Sequence, residues 1–268
     1  MYELIYLRPG SLAEAVVLLQ EHPEARPLSG GMTLVPTLKQ RLAAPSHLID
    51  LTHLEELKGI ALTDGVLRIG AATPHAEVNR SEVVIAAIPA LACLAGMIAD
   101  PQVRNRGTIG GSVANNDPAA DYPSAVLGLN ATVATSERRI AADDFFVGMF
   151  ETALAPGELV TALEFPLPDR AAYAKYRHPA SGYAVAGVFV AQTGTAVRVA
   201  VTGAGPSVFR WTQAEQALQD DCSVAALDGL LLDRSLVLDD EQTPARYRAN
   251  LVEVFTRRAV AALTAANR

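Results

Sequence analysis

The sequence predicts an α+β architecture built from three consecutive units. Three observations predict it. Helical and extended patterns do not alternate in the strand–helix–strand rhythm of a doubly wound sheet, and Gly203-Ala204-Gly205 lacks the third glycine of a GxGxxG fingerprint. Two hydroxyl-flanked glycine pairs, Ser29-Gly30-Gly31-Met32-Thr33 and Thr108-Ile109-Gly110-Gly111-Ser112, fall in different units. The run Pro166-Leu167-Pro168-Asp169 is the clearest linker in the chain and sets off about 95 C-terminal residues.

The first unit covers residues 1–55. Ser11-Leu12-Ala13-Glu14 has capping-box spacing and opens a helix to about residue 20, with Leu12, Ala15, Val16 and Leu19 on one face. Extended pieces follow at 26–28 and 47–50, and between them a helix over 33–41 carries Pro36 in its first turn. In the second unit, 56–168, strands over 57–62 and 66–69 flank an Asp64-Gly65 hairpin turn. Residues 72–78 enter a helix at Pro74-His75; helices over 81–88 and 89–99 follow, Pro89 taking the first position of the second. Residues 124–129 are short and apolar, 131–135 and 138–141 form a second hairpin, and 159–165 is a strand. The third unit, 172–268, pairs strands over 184–192 and 195–201 around Thr193-Gly194. It adds helices over 213–219 and 243–265, the latter capped by Thr243 with Pro244 at its first position.

Composition removes several classes. Half of the 268 residues are hydrophobic, enough for a substantial core. No apolar run reaches the roughly 18–20 residues of a membrane span, since 83–99 is broken by Pro89. The start, Met1-Tyr2-Glu3, lacks a basic and apolar leader, so a cytoplasmic location is expected. A net charge of −7 argues against nucleic acid as a partner and leaves any anion site to local amide dipoles. Cys93 and Cys222 have no CxxC neighbour and read as two buried thiols, so no iron–sulfur cluster or structural zinc is expected on this chain. The five histidines show no HxxxH or HExxH spacing, and neither GxSxG nor Gly-Lys-Ser/Thr occurs.

Glycine tolerates positive φ and lets another group approach the backbone closely. Successive N–H groups in such turns make anion-binding nests. Two glycine turns can therefore grip a diphosphate from both sides, with Met32 contributing only its backbone.

The specific run Arg104-Asn105-Arg106-Gly107-Thr108-Ile109-Gly110-Gly111 is accompanied by further blocks. These are Tyr6-Leu7-Arg8-Pro9, Leu34-Val35-Pro36 with Lys39, Ile49-Asp50-Leu51, Ile69-Gly70-Ala71-Ala72-Thr73 and Tyr173-Ala174-Lys175-Tyr176-Arg177. Together they resemble the FAD-binding medium subunit of the molybdenum hydroxylases, the family of xanthine dehydrogenase and aerobic carbon monoxide dehydrogenase. The resemblance covers most of the chain. It implies a two-lobed FAD-binding domain related to that of the covalent flavin oxidases, followed by a small α+β C-terminal domain. No histidine or cysteine falls in either glycine turn, so covalent flavin attachment is not expected.

The resemblance also implies roles. Ser29, Gly30, Gly31, Met32 and Thr33, with Thr108, Ile109, Gly110, Gly111 and Ser112, become the two FAD diphosphate loops. Asp121 matches an acidic residue at the sugar-like part of the cofactor, where a carboxylate accepts hydroxyl hydrogen bonds well. Asn115 and Asn116 are amide donors in reach of the same place, or turn residues. Lys175 matches a lysine close to the flavin, where a cation tunes its potential. Ala72 and Thr73 line the cofactor, and Val160 touches it through its backbone. Tyr173, Tyr176 and Tyr183 either cover the flavin or pack in the core. Arg104 and Arg106 read as structural or subunit-contact residues.

The function implied is that of an electron-transfer subunit needing no general base or nucleophile. A small [2Fe-2S] subunit and a large molybdenum-cofactor subunit are its implied partners, in a dimer of heterotrimers, with NAD, a quinone or oxygen as electron acceptor. The substrate is chosen on the molybdenum subunit. Two rival readings stay open: a stand-alone flavin oxidoreductase acting directly on a small molecule, and a cofactor-free assembly subunit.

Overall fold

The computed structural model describes residues 1–265, and the strands among them form four sheets. The first is small and parallel, with β1 (Ile5–Leu7), β2 (Arg26–Leu28) and β3 (His47–Asp50) in the order β1-β3-β2. The helix Leu12–Glu21 connects β1 to β2. Ser11 Oγ accepts from Glu14 N at 3.2 Å, as the capping spacing requires, but Glu14 reaches back to Gly10 N (2.6 Å), one residue beyond the usual partner. Ala15 and Leu19 on its inner face join Ile49, Leu51 and Leu54 in a small core.

The second sheet begins with the hairpin of β4 (Ile60–Thr63) and β5 (Val66–Gly70). Asp64 and Gly65 both have positive φ (50° and 74°), the signature of the two-residue turn that matches strand twist. The expected strand start at residue 57 is corrected: Leu57 closes a short 3-10 turn, Glu55–Leu57, and left-handed Gly59 (φ 93°) precedes β4. Helices His75–Arg80, Glu82–Ala87 and Pro89–Gly96 follow. The last of these stops before residue 99 because Ala99 turns left-handed (φ 41°) and Asp100 caps a new helix, Pro101–Arg104, accepting from Val103 N at 2.8 Å. The apolar segment at 124–129 lies mostly in the helix Tyr122–Gly128, every residue of which is buried.

Next come β6 (Thr132–Thr135) and β7 (Arg139–Ala141), then a separate ribbon of β8 (Phe146–Gly148) and β9 (Glu151–Thr152) that the sequence did not disclose. Strand β10 (Val160–Pro166) takes the centre of the second sheet, in the order β4-β5-β10-β6-β7. The linker is pinned at both ends: Leu167 N donates to Gly65 O (3.0 Å) and Asp169 N to Gln192 O (2.8 Å).

The third sheet is an antiparallel meander of β11 (Arg170–Arg177), β12 (Ala184–Thr193), β13 (Ala196–Thr202) and β14 (Phe209–Arg210). The helices Thr212–Asp220 and Ala245–Ala265 pack on one of its faces. The start of the second helix corrects the expected cap. Pro244 holds the N-cap position, accepting from Arg248 N at 3.0 Å, and the side-chain cap comes from Asp239, whose Oδ1 accepts from Ala245 N at 2.8 Å. Residues 266–268 of the third unit lie outside the described residues.

The largest core cluster joins the second and third sheets through the helix Tyr122–Gly128. Leu67, Ile69, Leu163 and Phe165 from one sheet meet Phe189, Ala191 and Ala200 from the other. The cysteines differ from expectation. Cys93 is exposed on the outer side of its helix, where Leu91 and Leu94 face inward, and Cys222 is half-buried. Among the described residues, no helix is long and apolar enough to cross a membrane, and no cluster of metal-ligating side chains occurs.

Candidate functional site

A cavity of about 980 Å³ opens between the ends of the three larger sheets. That is at the top of the roughly 300–1,000 Å³ range of small-molecule and cofactor sites. Both glycine segments line it, but they are built differently.

The first is an open turn. Strand β2 ends at Leu28, whose carbonyl accepts from Leu51 N (2.8 Å), and Gly31 then turns the chain with φ 73° into the helix Leu34–Lys39. Pro36 lies in the first turn of that helix, as expected. Among the described residues, the N–H groups of Gly30, Gly31, Met32 and Thr33 have no acceptor. Four consecutive free donors flanked by the Ser29 and Thr33 hydroxyls form an anion nest.

The second segment corrects the expectation of a matching open turn. Thr108 caps the helix Ile109–Asn115, so the glycine pair lies in its first turn. The amides here are occupied. Ile109 N donates to Thr73 O (3.1 Å), Gly110 N to Ala71 O (2.9 Å), Gly111 N to Thr108 Oγ1 (3.2 Å) and Ser112 N to Thr108 O (3.0 Å). Glycine serves closeness at these places rather than positive φ. A Cβ on Gly110 would stand 2.4 Å from Ala71 Cβ, and one on Gly30 would stand 2.0 Å from Arg106 O. The two segments are tied by a 2.8 Å hydrogen bond between Ser29 Oγ and Thr108 Oγ1.

Ala72, Asn115, Asp121 and Val160 share the cavity wall with the glycine segments. Thr73, Ile109 and Lys175 do not reach it. Thr73 and Ile109 are fully buried where the chain at Pro74 pairs with Thr108. The Lys175 ammonium is turned onto Asp121, at 2.8 Å from Oδ1 and 2.9 Å from Oδ2. Tyr173 OH donates to Asp121 Oδ1 at 2.5 Å. Asp121 is only 4% exposed. Burial pushes its carboxyl above the usual carboxylate range, against the pull of the Lys175 charge and the hydrogen bonds from Lys175 and Tyr173. Each carboxylate oxygen has two lone pairs, so capacity to accept from a ligand hydroxyl remains.

The paired asparagines part company. Asn115 faces the cavity, whereas Asn116 is a left-handed helix cap (φ 43°) whose Nδ2 donates to Gly148 O and Glu151 O, both at 2.8 Å. It thereby holds the β8–β9 ribbon, whose tip residue Phe150 stands at the cavity wall, 58% exposed. Of the three tyrosines, Tyr183 lines the cavity, Tyr173 serves Asp121, and Tyr176 packs on Phe255 and Tyr247 in the third unit. Arg104 is structural: its Nη1 donates to Ile98 O (2.7 Å) and Ala99 O (3.0 Å), and Arg177 Nη2 adds a bond to Ala99 O (2.7 Å).

Sequence reasoning missed several wall residues, among them Arg26, His75, Ile98 and the loop 178–182. His75 is 5% exposed, and burial, then the nearby Arg104 charge, lowers its pKa to about 4. The only sequence signal was its place after Pro74 at a helix start, which many surface residues share.

Comparison with known proteins bears on this geometry. Residues 1–168 match the family described as FAD binding domain in molybdopterin dehydrogenase. The carbon monoxide dehydrogenase medium chain of Afipia carboxidovorans is 37% identical over 95% of this chain and 94% of its own length. The nicotine 6-hydroxylase medium subunit of Paenarthrobacter nicotinovorans is 33% identical over 95% of each chain. In three dimensions, a chain of the carbon monoxide dehydrogenase from Hydrogenophaga pseudoflava that lacks the Mo-pyranopterin moiety superposes with a TM-score of 0.90. It is 33% identical, over 98% of both chains.

Proposed function

The chain belongs to the family of FAD-binding medium subunits of molybdenum hydroxylases, and on that premise we propose that it is the electron-transfer subunit of such an enzyme. In this role it takes electrons from [2Fe-2S] clusters of a small partner subunit and passes them to an external acceptor such as NAD, a quinone or oxygen. A large subunit carrying the molybdenum cofactor completes the complex, a cytoplasmic dimer of heterotrimers. The chain itself divides into FAD-binding lobes at 1–55 and 56–168 and a C-terminal domain at 172–268.

The observation that carries the reading is the run of four unpaired amides at residues 30–33, whose residues line a cavity large enough for a dinucleotide. The donor set fits an uncharged grip on a diphosphate. In this reading Ser29, Gly30, Gly31, Met32 and Thr33 hold the diphosphate by amides and hydroxyls. Thr108 and Ser112 add hydroxyls beside it, while Ile109, Gly110 and Gly111 give the close backbone surface. Asp121 and Asn115 take the polyol, and Ala72 and Val160 form apolar wall, with Thr73 packed behind it. Lys175 acts through Asp121 by fixing that carboxylate. When bound, FAD supplies the reversible uptake of electrons that no side chain here provides.

The test is a visible absorption titration of the purified chain with FAD, followed by identification of the released cofactor. Stoichiometric FAD is expected, with iron and molybdenum copurifying when the partner subunits are coexpressed. A folded chain that takes up no flavin, alone or in its complex, overturns the assignment.

A further inference from the structure

Resting on the FAD reading above, we infer that His75 donates a hydrogen bond from Nε2 to the diphosphate of the bound dinucleotide, as a side-chain N–H donor beside the second glycine segment. Four observations carry this. First, the imidazole is walled in by protein yet lines the cavity. Its Nδ1 is sealed from solvent and has no partner, whereas Nε2 is not sealed and bonds no group of the described chain.

Second, the hydrogen-bond network assigns the tautomer. A proton on Nδ1 would strand a buried donor, which proteins avoid more strictly than a buried lone pair. The proton therefore belongs on Nε2, the nitrogen open to the cavity. With its pKa lowered to about 4, the ring is neutral in neutral solution and donates from that single N–H.

Third, the position is right. Nε2 lies 2.6 Å from where a Cβ on Gly107 would stand, and Gly107 Cα lies 2.7 Å from where a Cβ on Gly30 would stand. His75 and Gly30 thus both pack against Gly107, so a single residue separates the imidazole from the open turn, and both line the same cavity. Glycine at 107 leaves the ring its space. Fourth, the amides of residues 109–112 are spent on Thr73, Ala71 and Thr108, so this wall needs a side chain to offer N–H to an anion.

The test measures binding of FAD and of ADP to the full chain by calorimetry, for wild type, His75→Met and His75→Gln, with thermal melts as a check on folding. His75→Met removes the donor at similar volume; His75→Gln restores an N–H near the Nε2 position. His75→Met is expected to weaken both ligands about tenfold, the worth of one hydrogen bond to a charged acceptor. His75→Gln is expected to recover most of the loss. Unchanged FAD binding in His75→Met overturns the inference. So does a loss confined to FAD with ADP unaffected, which would put the contact at the flavin end. A His75→Gln as weak as His75→Met overturns it too, because volume rather than the donor would then be at work. If His75→Met does not fold, His75→Leu replaces it. Wild type that binds neither ligand, alone or in its complex, overturns the FAD reading itself, a distinct result.

Discussion

Asp121 and Lys175 are separated by 54 positions and meet as a pair with almost no exposure of either side chain. An ion pair removed from water stabilises little on balance, but breaking one side strands a charge at a cost of about 3–5 kcal/mol. Lys175→Met is therefore expected to destabilise the chain by roughly that amount in urea denaturation, with Asp121→Asn added to it restoring part of the loss. The family pattern singled out each residue alone, proposing the acid for the polyol and the lysine for the flavin. Nothing local to either disclosed that they bind each other, because the contact joins a residue of β11 to the one preceding the helix at 122–128, 54 positions away in the chain. His75 was illegible for a similar reason: burial and an unpartnered nitrogen are properties of packing, and its neighbours in sequence carry neither.

At the scale of elements, hairpins, capping residues and the proline-started helix were readable because each is written in adjacent residues. The two glycine pairs were not distinguishable. They look alike as strings, yet one is an open turn and the other the first turn of a helix whose amides are consumed by Ala71, Thr73 and Thr108. A second tertiary device, hidden for the same reason, is Glu158 at the entry to β10. Its carboxylate accepts from Arg138 Nε (3.1 Å) and Nη2 (3.0 Å), Ala155 N (2.8 Å) and Thr135 Oγ1 (2.6 Å), locking the β6–β7 turn to the sheet. The Arg138 hydrogen bonds above all hold its pKa down to about 2, from 4.5. A depressed carboxylate stabilises the fold above its unfolded pKa and loses that contribution as pH falls through the folded one. Glu158→Gln is therefore expected to cost about 1–3 kcal/mol at pH 7. The gap between wild type and variant should narrow below pH 4.5 and close near pH 2, as read from urea midpoints across that range.

At the scale of the molecule, the cavity takes its walls from all three units: the open turn from the first sheet, the capped helix from the second, the loop 178–182 from the third. A ligand that touches all three stabilises them together. FAD at a hundredfold excess over its Kd is expected to add about 2.7 kcal/mol. In scanning calorimetry this should appear as one transition moved upward by several degrees. A shift confined to one of two separate transitions would mean that the ligand engages fewer walls. The separate sheets on either side of the linker were legible from it and from the change of pattern. Their mutual packing was not, since contacts among Tyr122, Phe165 and Phe189 span distances no local periodicity encodes.

The core that joins the second and third sheets bears on how such a unit is borrowed. The helix Tyr122–Gly128 rests on Phe189, whose ring lies 3.0 Å from where a Cβ on Gly128 would stand. Cutting the chain after Pro168 would follow a seam visible in the sequence while tearing a surface that has none. An engineer grafting this dinucleotide cradle onto another enzyme would have to carry β12 and β13 with it, as upholstery for a wall that otherwise faces water bare.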